Sequence, residues 1–111
     1  MTITFKEYED FAKTTAIYPR ASALSYPALG LCGEAAEVAE KIKKLIRDGK
    51  LEPAEVHKEI GDVLWYLSAL CRDLSEVYDG DFSLSKAAEV NRQKLMDRQS
   101  RGVLSGSGDN R

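Results

Sequence analysis

Two long apolar repeats at helical spacing constrain the fold of this 111-residue chain more than any other feature of its sequence. In each repeat the apolar residues recur at alternating intervals of four and three, which places them on one stripe of an α-helix. The first repeat comprises Leu31, Ala35, Val38, Ile42 and Leu45, and the second comprises Val56, Ile60, Val63, Leu67, Leu70 and Leu74. Because only a short link at residues 49–52 separates the two helices, we expect them to form an antiparallel pair.

Local signals indicate where the helices begin and end, since proline favours a first helical turn and glycine favours the position after the last. We expect helices at residues 4–15, from Ser25 or Tyr26 to Gly49, from Pro53 to about Val77, and from about Ser83 to Arg101. No strand pattern competes, so the sequence predicts an all-α, four-helix bundle. One domain covers residues 1–103, and a glycine- and serine-rich tail at 104–111 is predicted to be flexible.

Composition narrows the class of protein further. The net charge is −2 and the sequence has no long basic block, so we expect no nucleic-acid surface. No window approaches 18 apolar residues and the first residues have no apolar signal-peptide core, so we expect no membrane segment and a cytoplasmic location. Cys32 and Cys71 make no metal-ligand spacing, and we expect buried, reduced thiols. Strong apolar stripes on so short a chain also favour burial against another subunit.

Both central helices carry a pair of carboxylates three residues apart. Glu34 and Glu37 lie along one border of the first apolar stripe, and Glu59 and Asp62 lie along the same border of the second, at about 100° of rotation per residue. If the helices pack through these stripes, the four carboxylates converge beside the seam.

Converging carboxylates repel one another, so they either take up protons or are neutralised by cations. An all-oxygen cluster suits Mg²⁺ or Mn²⁺. A di-iron site would call for Glu-x-x-His pairs, and the single histidine, His57, does not follow a glutamate by three residues. Because paired glutamates are also typical of a solvated helix face, the spacing alone leaves both a metal site and a solvated face open.

The segments "GEAAEVAEKIKKLIRDG" and "HKEIGDVLWYLSALC" closely resemble the MazG-like nucleoside triphosphate pyrophosphohydrolases, an all-α group that includes dimeric dUTPases and phosphoribosyl-ATP pyrophosphatase. The shared pattern is Glu-x-x-Glu, a spacer, then Glu-x-x-Asp, with a glycine at position 33 before the first pair. The later segment "NRQKLMDRQSRG" is similar to the Asn-x-x-Lys-x-x-x-Arg segment of that family. The chain carries one copy of the acidic motif, as the compact single-domain members do.

The resemblance implies a MazG-like bundle, assembled as a homo-oligomer, that hydrolyses a nucleoside triphosphate between its α- and β-phosphates with Mg²⁺, or Mn²⁺ in its place. A tetramer built as a dimer of dimers is the favoured assembly, and a dimer is the alternative. The acidic residues would be both catalytic and metal-binding, and the later residues would bind the substrate. The first set is Glu34, Glu37, Glu59 and Asp62, and the second is Asn91, Lys94 and Arg98. Asn91 is in phase with the apolar residues of its helix, so we expect its amide to be buried and hydrogen-bonded.

The sequence leaves two other functions open. The chain could be a non-enzymatic helical dimerisation module, or it could use the same fold on another nucleotide, such as phosphoribosyl-ATP or a non-standard one. We expect the tail at 104–111 to close over bound nucleotide, since glycine-rich backbone beside arginines can wrap a phosphate chain. The sequence favours neither a base nor a sugar.

Overall fold

Four α-helices make up the structure, a computed structural model that describes residues 2–111. They are α1 (Phe5–Ala12), α2 (Ser25–Asp48), α3 (Pro53–Tyr78) and α4 (Leu84–Ser100), with short 3₁₀ turns at Lys13–Thr15 and Arg20–Ser22. These residues contain no strand, so the all-α prediction is confirmed. The most extensive packing is between α2 and α3, which the link at residues 49–52 joins as an antiparallel pair.

Caps encoded in the local sequence set the helix ends. Thr4 forms a capping box with Glu7, in which the Thr4 hydroxyl accepts from the Glu7 amide at 3.1 Å and the Glu7 carboxylate accepts from the Thr4 amide at 3.3 Å. The Ser83 hydroxyl accepts from the Lys86 amide at 3.0 Å and starts α4. Gly49 ends α2 with a φ of 71°, in the left-handed region that glycine adopts at little cost.

A buried carboxylate ties the loop between α1 and α2 to the second half of α3. Asp73 on α3 is fully buried and accepts three hydrogen bonds from that loop. The Tyr18 hydroxyl donates at 2.7 Å, the Arg20 guanidinium at 2.7 Å and the Leu24 amide at 3.0 Å. Burial alone would raise the pKa of Asp73, but the hydrogen bonds from Leu24, Tyr18 and Arg20 outweigh burial and hold that pKa below its usual value.

The loop enters α2 through a strained turn. Leu24 has φ 70° and ψ −56°, and the Ser25 amide donates to the Ala23 carbonyl at 2.8 Å, which together define a γ-turn of the rare type. A branched side chain in this region costs on the order of 1–3 kcal/mol. The hydrogen bond from the Leu24 amide to Asp73 holds the turn in place.

The apolar stripes of the central helices are only partly covered within one chain. Ile42 on α2 is 43% exposed and Ile60 on α3 is 49% exposed, although both lie in phase with their stripes. The expectation of two buried cysteines is wrong. Cys32 on α2 is exposed, since it lies beside the apolar stripe and not on it, and Cys71 on α3 is only half-buried. Both are free thiols. No helix within residues 2–111 has the length and apolar character needed to cross a membrane.

Candidate metal centre

Three carboxylates from the two central helices come together at one point. Glu34 on α2 and Glu59 and Asp62 on α3 each offer an oxygen, and these oxygens all lie within 4.8 Å of one another. Glu34 and Glu59 are half-buried, whereas Asp62 is exposed. The helix pairing through the apolar stripes therefore brings together residues that are 28 positions apart in the sequence, as the matched phases of the two motifs predict.

The electrostatics of the cluster favour a positive ion. Burial raises the pKa of Glu34, and a hydrogen bond with Glu59 and the negative charges of Asp62, Glu59 and Glu37 raise it further. Such a shift marks unfavourable charge that either a proton or a cation would relieve. A donor set made only of carboxylate oxygens fits a hard divalent cation such as Mg²⁺ or Mn²⁺.

Glu37 has a different place from the other three predicted ligands. It is exposed and lies outside the group of oxygens within 4.8 Å. Its charge still contributes to the raised pKa of Glu34, so it lies at the edge of the same negative field. Its assignment as a metal ligand stays a prediction.

An open cleft of about 340 Å³ adjoins the cluster. Two of its walls are the carboxylates Glu34 and Asp62, and the others are Thr15, Trp65 and Tyr66. The Trp65 indole N–H donates to the Thr15 hydroxyl at 2.7 Å, which links the end of the first helical segment to α3. The sequence had not singled out Thr15 or Tyr66. The available signal for Tyr66 was its position one helical turn after Asp62 on the same helix.

Tyr66 lies directly against the backbone of α2. A Cβ placed on Gly30 would overlap the Tyr66 ring, so only glycine at position 30 allows this close approach. Burial raises the pKa of Tyr66, as do the neighbouring Tyr26 hydroxyl and the negative charge of Glu34. Gly30 thereby leaves room for the Tyr66 ring beside the carboxylates of the cleft.

The predicted phosphate-binding cations of α4 contact the tail. The Lys94 ammonium lies 3.2 Å from the Asp109 carboxylate. The Arg98 guanidinium donates to the Asp109 carbonyl at 2.6 Å and lies 3.2 Å from the carboxylate. Hydrogen bonds from Lys94 and Arg98 lower the pKa of Asp109. The Asp109 carboxylate of the same chain therefore forms ion pairs with both Lys94 and Arg98.

Asn91 corrects one expectation from the sequence. Its phase with Leu84, Ala88 and Leu95 predicted a buried, hydrogen-bonded amide, but Asn91 is exposed and Leu95 is 42% exposed. The reason is that α4 packs only lightly on α1 and α3, with Leu84 buried at its start and Arg98 buried near its end. None of the residues that line the carboxylate cleft comes from α4.

Comparison with known proteins agrees with this geometry. Residues 25–103 match the model of the MazG nucleotide pyrophosphohydrolase domain, a range that contains the whole carboxylate cluster. The chain is similar to the "Gene 37 protein" of Mycobacterium phage L5, with 42% identity over 115 aligned residues that cover 94% of this chain and 96% of that protein. No solved structure is significantly similar. The chain belongs to the MazG family of nucleotide pyrophosphohydrolase domains.

Proposed function

We propose that this chain is a Mg²⁺-dependent nucleoside triphosphate pyrophosphohydrolase that cleaves between the α- and β-phosphates and yields a nucleoside monophosphate and pyrophosphate. The observation that carries the proposal is the cluster of three carboxylates on α2 and α3, within the range that matches the MazG domain. Glu34, Glu59 and Asp62 would hold the cation, with Glu37 at the edge. A bound divalent metal would supply charge neutralisation for the phosphates and a lowered pKa for an attacking water.

The direct test is an assay of the eight common ribo- and deoxyribonucleoside triphosphates, together with phosphoribosyl-ATP, with the products identified by chromatography. We expect monophosphate and pyrophosphate in equal amounts from at least one nucleoside triphosphate. Release of a single orthophosphate would contradict the assigned bond. Turnover of phosphoribosyl-ATP alone would assign the fold to that substrate, and no turnover of any nucleotide would favour a non-enzymatic helical module.

Metal dependence follows from the donor set. We expect Mg²⁺ or Mn²⁺ to support turnover and an excess of chelator to abolish it, because carboxylate oxygens bind hard cations and four acidic side chains cannot hold a triphosphate without them. Ca²⁺, which is larger and less strict in its geometry, should support little hydrolysis. Initial rates with each metal after chelation give the measurement. Undiminished turnover in excess chelator would rule out the metal centre.

A homo-oligomer is part of the proposal, and the shape of the single chain supports it. The accessible surface is 8070 Å², whereas a monomer of 12.3 kDa would expose about 6,100 Å². The radius of gyration is 16.6 Å, against about 13 Å for a compact domain of this length. Such excess surface, with Ile42 and Ile60 open on the central stripes, fits burial against further copies of the chain.

The placement of α4 suggests that its cations serve the carboxylate cleft of a neighbouring subunit. Light scattering after size exclusion should give two or four times the mass of one chain. Mixing Asp62→Asn with Lys94→Met subunits should then restore about a quarter of the parent activity in randomly paired dimers, because one site in each mixed dimer has both parts intact. Mixed oligomers without restored activity would place Lys94 in the cleft of its own subunit.

Asp109 would compete with the substrate for Lys94 and Arg98. Replacing it with asparagine removes the competing charge and keeps the glycine-rich backbone, so we expect KM for the best nucleotide to fall several-fold. Asp97→Asn is the matched control, since Asp97 pairs with Arg101 on the same helix at 2.8 Å, and its KM should stay at the parent value. An unchanged KM for Asp109→Asn would show that nucleotide does not displace this contact.

A further inference from the structure

We propose that the cleft beside the carboxylate cluster is a nucleobase subsite, in which the base of the nucleotide stacks on Trp65 with Tyr66 as its side wall. This inference rests on the proposed function, since it takes the phosphates to lie at Glu34, Glu59 and Asp62. The cleft adjoins these carboxylates and measures about 340 Å³. A nucleotide whose phosphates lie at the cluster extends its sugar and base by only a few bonds, so this adjoining space is within their reach.

Beyond the carboxylates of Glu34 and Asp62, the walls of the cleft are formed largely by the aromatic side chains of Trp65 and Tyr66. The indole N–H of Trp65 donates to the Thr15 hydroxyl at 2.7 Å, and the Tyr66 ring packs beside the Tyr26 ring with centroids 6.3 Å apart. Trp65 therefore offers a ligand mainly its ring surface, and Tyr66 places a second ring beside it. Stacking on aromatic rings is a common way to bind a base, because every base has a π-face.

The two rings belong to a packed group of aromatic side chains. Trp65 and Tyr66 meet edge to face, with ring centroids 5.1 Å apart and an angle of 87° between their planes. Tyr18 meets Trp65 edge to face at 6.4 Å and stacks on Tyr26 at 4.6 Å. Asp73 holds Tyr18 through its hydroxyl, and Gly30 admits the Tyr66 ring. A subsite with its rings fixed before the ligand arrives loses little conformational entropy on binding.

Trp65 is the single tryptophan of the chain, so the tryptophan fluorescence comes from one wall of this cleft. We would titrate the Mg²⁺-loaded protein with α,β-methylene triphosphates of adenosine, guanosine, cytidine and uridine, which the enzyme cannot cleave, and with inorganic tripolyphosphate. Calorimetry gives the Kd of each probe independently of the fluorescence. We expect at least one nucleotide to change the Trp65 emission strongly at saturation, and tripolyphosphate to bind without that change.

Substitution then separates stacking from phosphate binding. Trp65→Leu should raise the Kd of the best nucleotide analogue about 10-fold or more and leave the Kd of tripolyphosphate unchanged. Trp65→Phe keeps an aromatic face and should give an intermediate Kd. That result would show that the weaker binding of Trp65→Leu is not caused by a general loss of structure. Tyr78→Leu is the matched control, because Tyr78 lies on the same helix and is 66% exposed near its end.

Two results would overturn the subsite. The first is a nucleotide Kd in Trp65→Leu equal to that of the parent, and the second is an equal loss of affinity for nucleotide and for tripolyphosphate. Both are binding measurements, so they are distinct from failure of the proposed function. A protein that binds nucleotide through Trp65 but cleaves none in the product assay would contradict the hydrolase proposal and keep the subsite.

Discussion

Replacing Asp62 with asparagine is expected to lower turnover by at least about 100-fold. The substitution keeps the size of the side chain and removes one of the three charges whose oxygens lie within 4.8 Å. Because Asp62 is exposed and the carboxylates repel one another, the metal-free variant should unfold at a temperature no lower than the parent. Steady-state kinetics and metal-free thermal melts give the two measurements.

Glu55→Gln is the matched control for Asp62→Asn. Glu55 lies on the same helix, two turns earlier, and pairs only with Lys58 at 3.2 Å in the described residues. The Glu55→Gln variant should turn over the nucleotide at the parent rate. Full activity in Asp62→Asn would remove Asp62 from the site, and a clear loss of thermal stability in that variant would assign the residue a structural role instead.

Asp73→Asn is expected to have the largest effect on stability, about 2–4 kcal/mol, since it leaves three donors without their carboxylate. For a domain of this size the midpoint of thermal unfolding should fall by about 10 °C or more. The strained turn at Leu24 loses its anchor at the same time. The control variant Asp81→Asn, at an exposed position, should unfold at the same temperature as the parent. Equal melting of both variants would contradict the role of Asp73 as an anchor.

The acid side of the pH profile gives a second readout for Asp73. Its pKa in the folded protein lies below the value of about 3.9 in an unfolded chain, so its contribution is complete above that value and is lost as the pH falls through the folded-state pKa. The difference in stability between the parent and Asp73→Asn should therefore narrow below about pH 4. Urea titrations at several pH values would measure it.

The helices could be predicted from the sequence because their signals are local. Pro53 and Ser83 lie within a residue of the observed starts of α3 and α4, and Gly49 follows the last residue of α2. The three-carboxylate cluster could also be predicted, since the phase of each pair relative to its apolar stripe depends only on the helical repeat. Glu37 shows the limit of that argument, because phase alone does not say how far along a helix two partners meet.

The contacts that shape the cleft could not be predicted in the same way. Asp73 lies three turns after Asp62 on the same border of α3, so its position beside the apolar stripe could be read from the sequence. Its hydrogen-bond partners could not, because they are loop residues 49 to 55 positions earlier in the chain. Thr15 reaches Trp65 across 50 positions. No helical period encodes these pairings. The prediction that Asn91 is buried is wrong because the periodicity of α4 does not indicate how much of that helix is covered within one chain.

The binding of Mn²⁺ by the protein tests the central claim, that carboxylates of α2 and α3 together hold a divalent cation. Electron paramagnetic resonance of free Mn²⁺ during a titration counts the bound ions without any turnover. We predict saturable binding by the parent and by Glu55→Gln, and a loss of at least about 10-fold in affinity when Glu34→Gln or Glu59→Gln changes one helix alone. Parent-like Mn²⁺ affinity in both Glu34→Gln and Glu59→Gln would contradict the account.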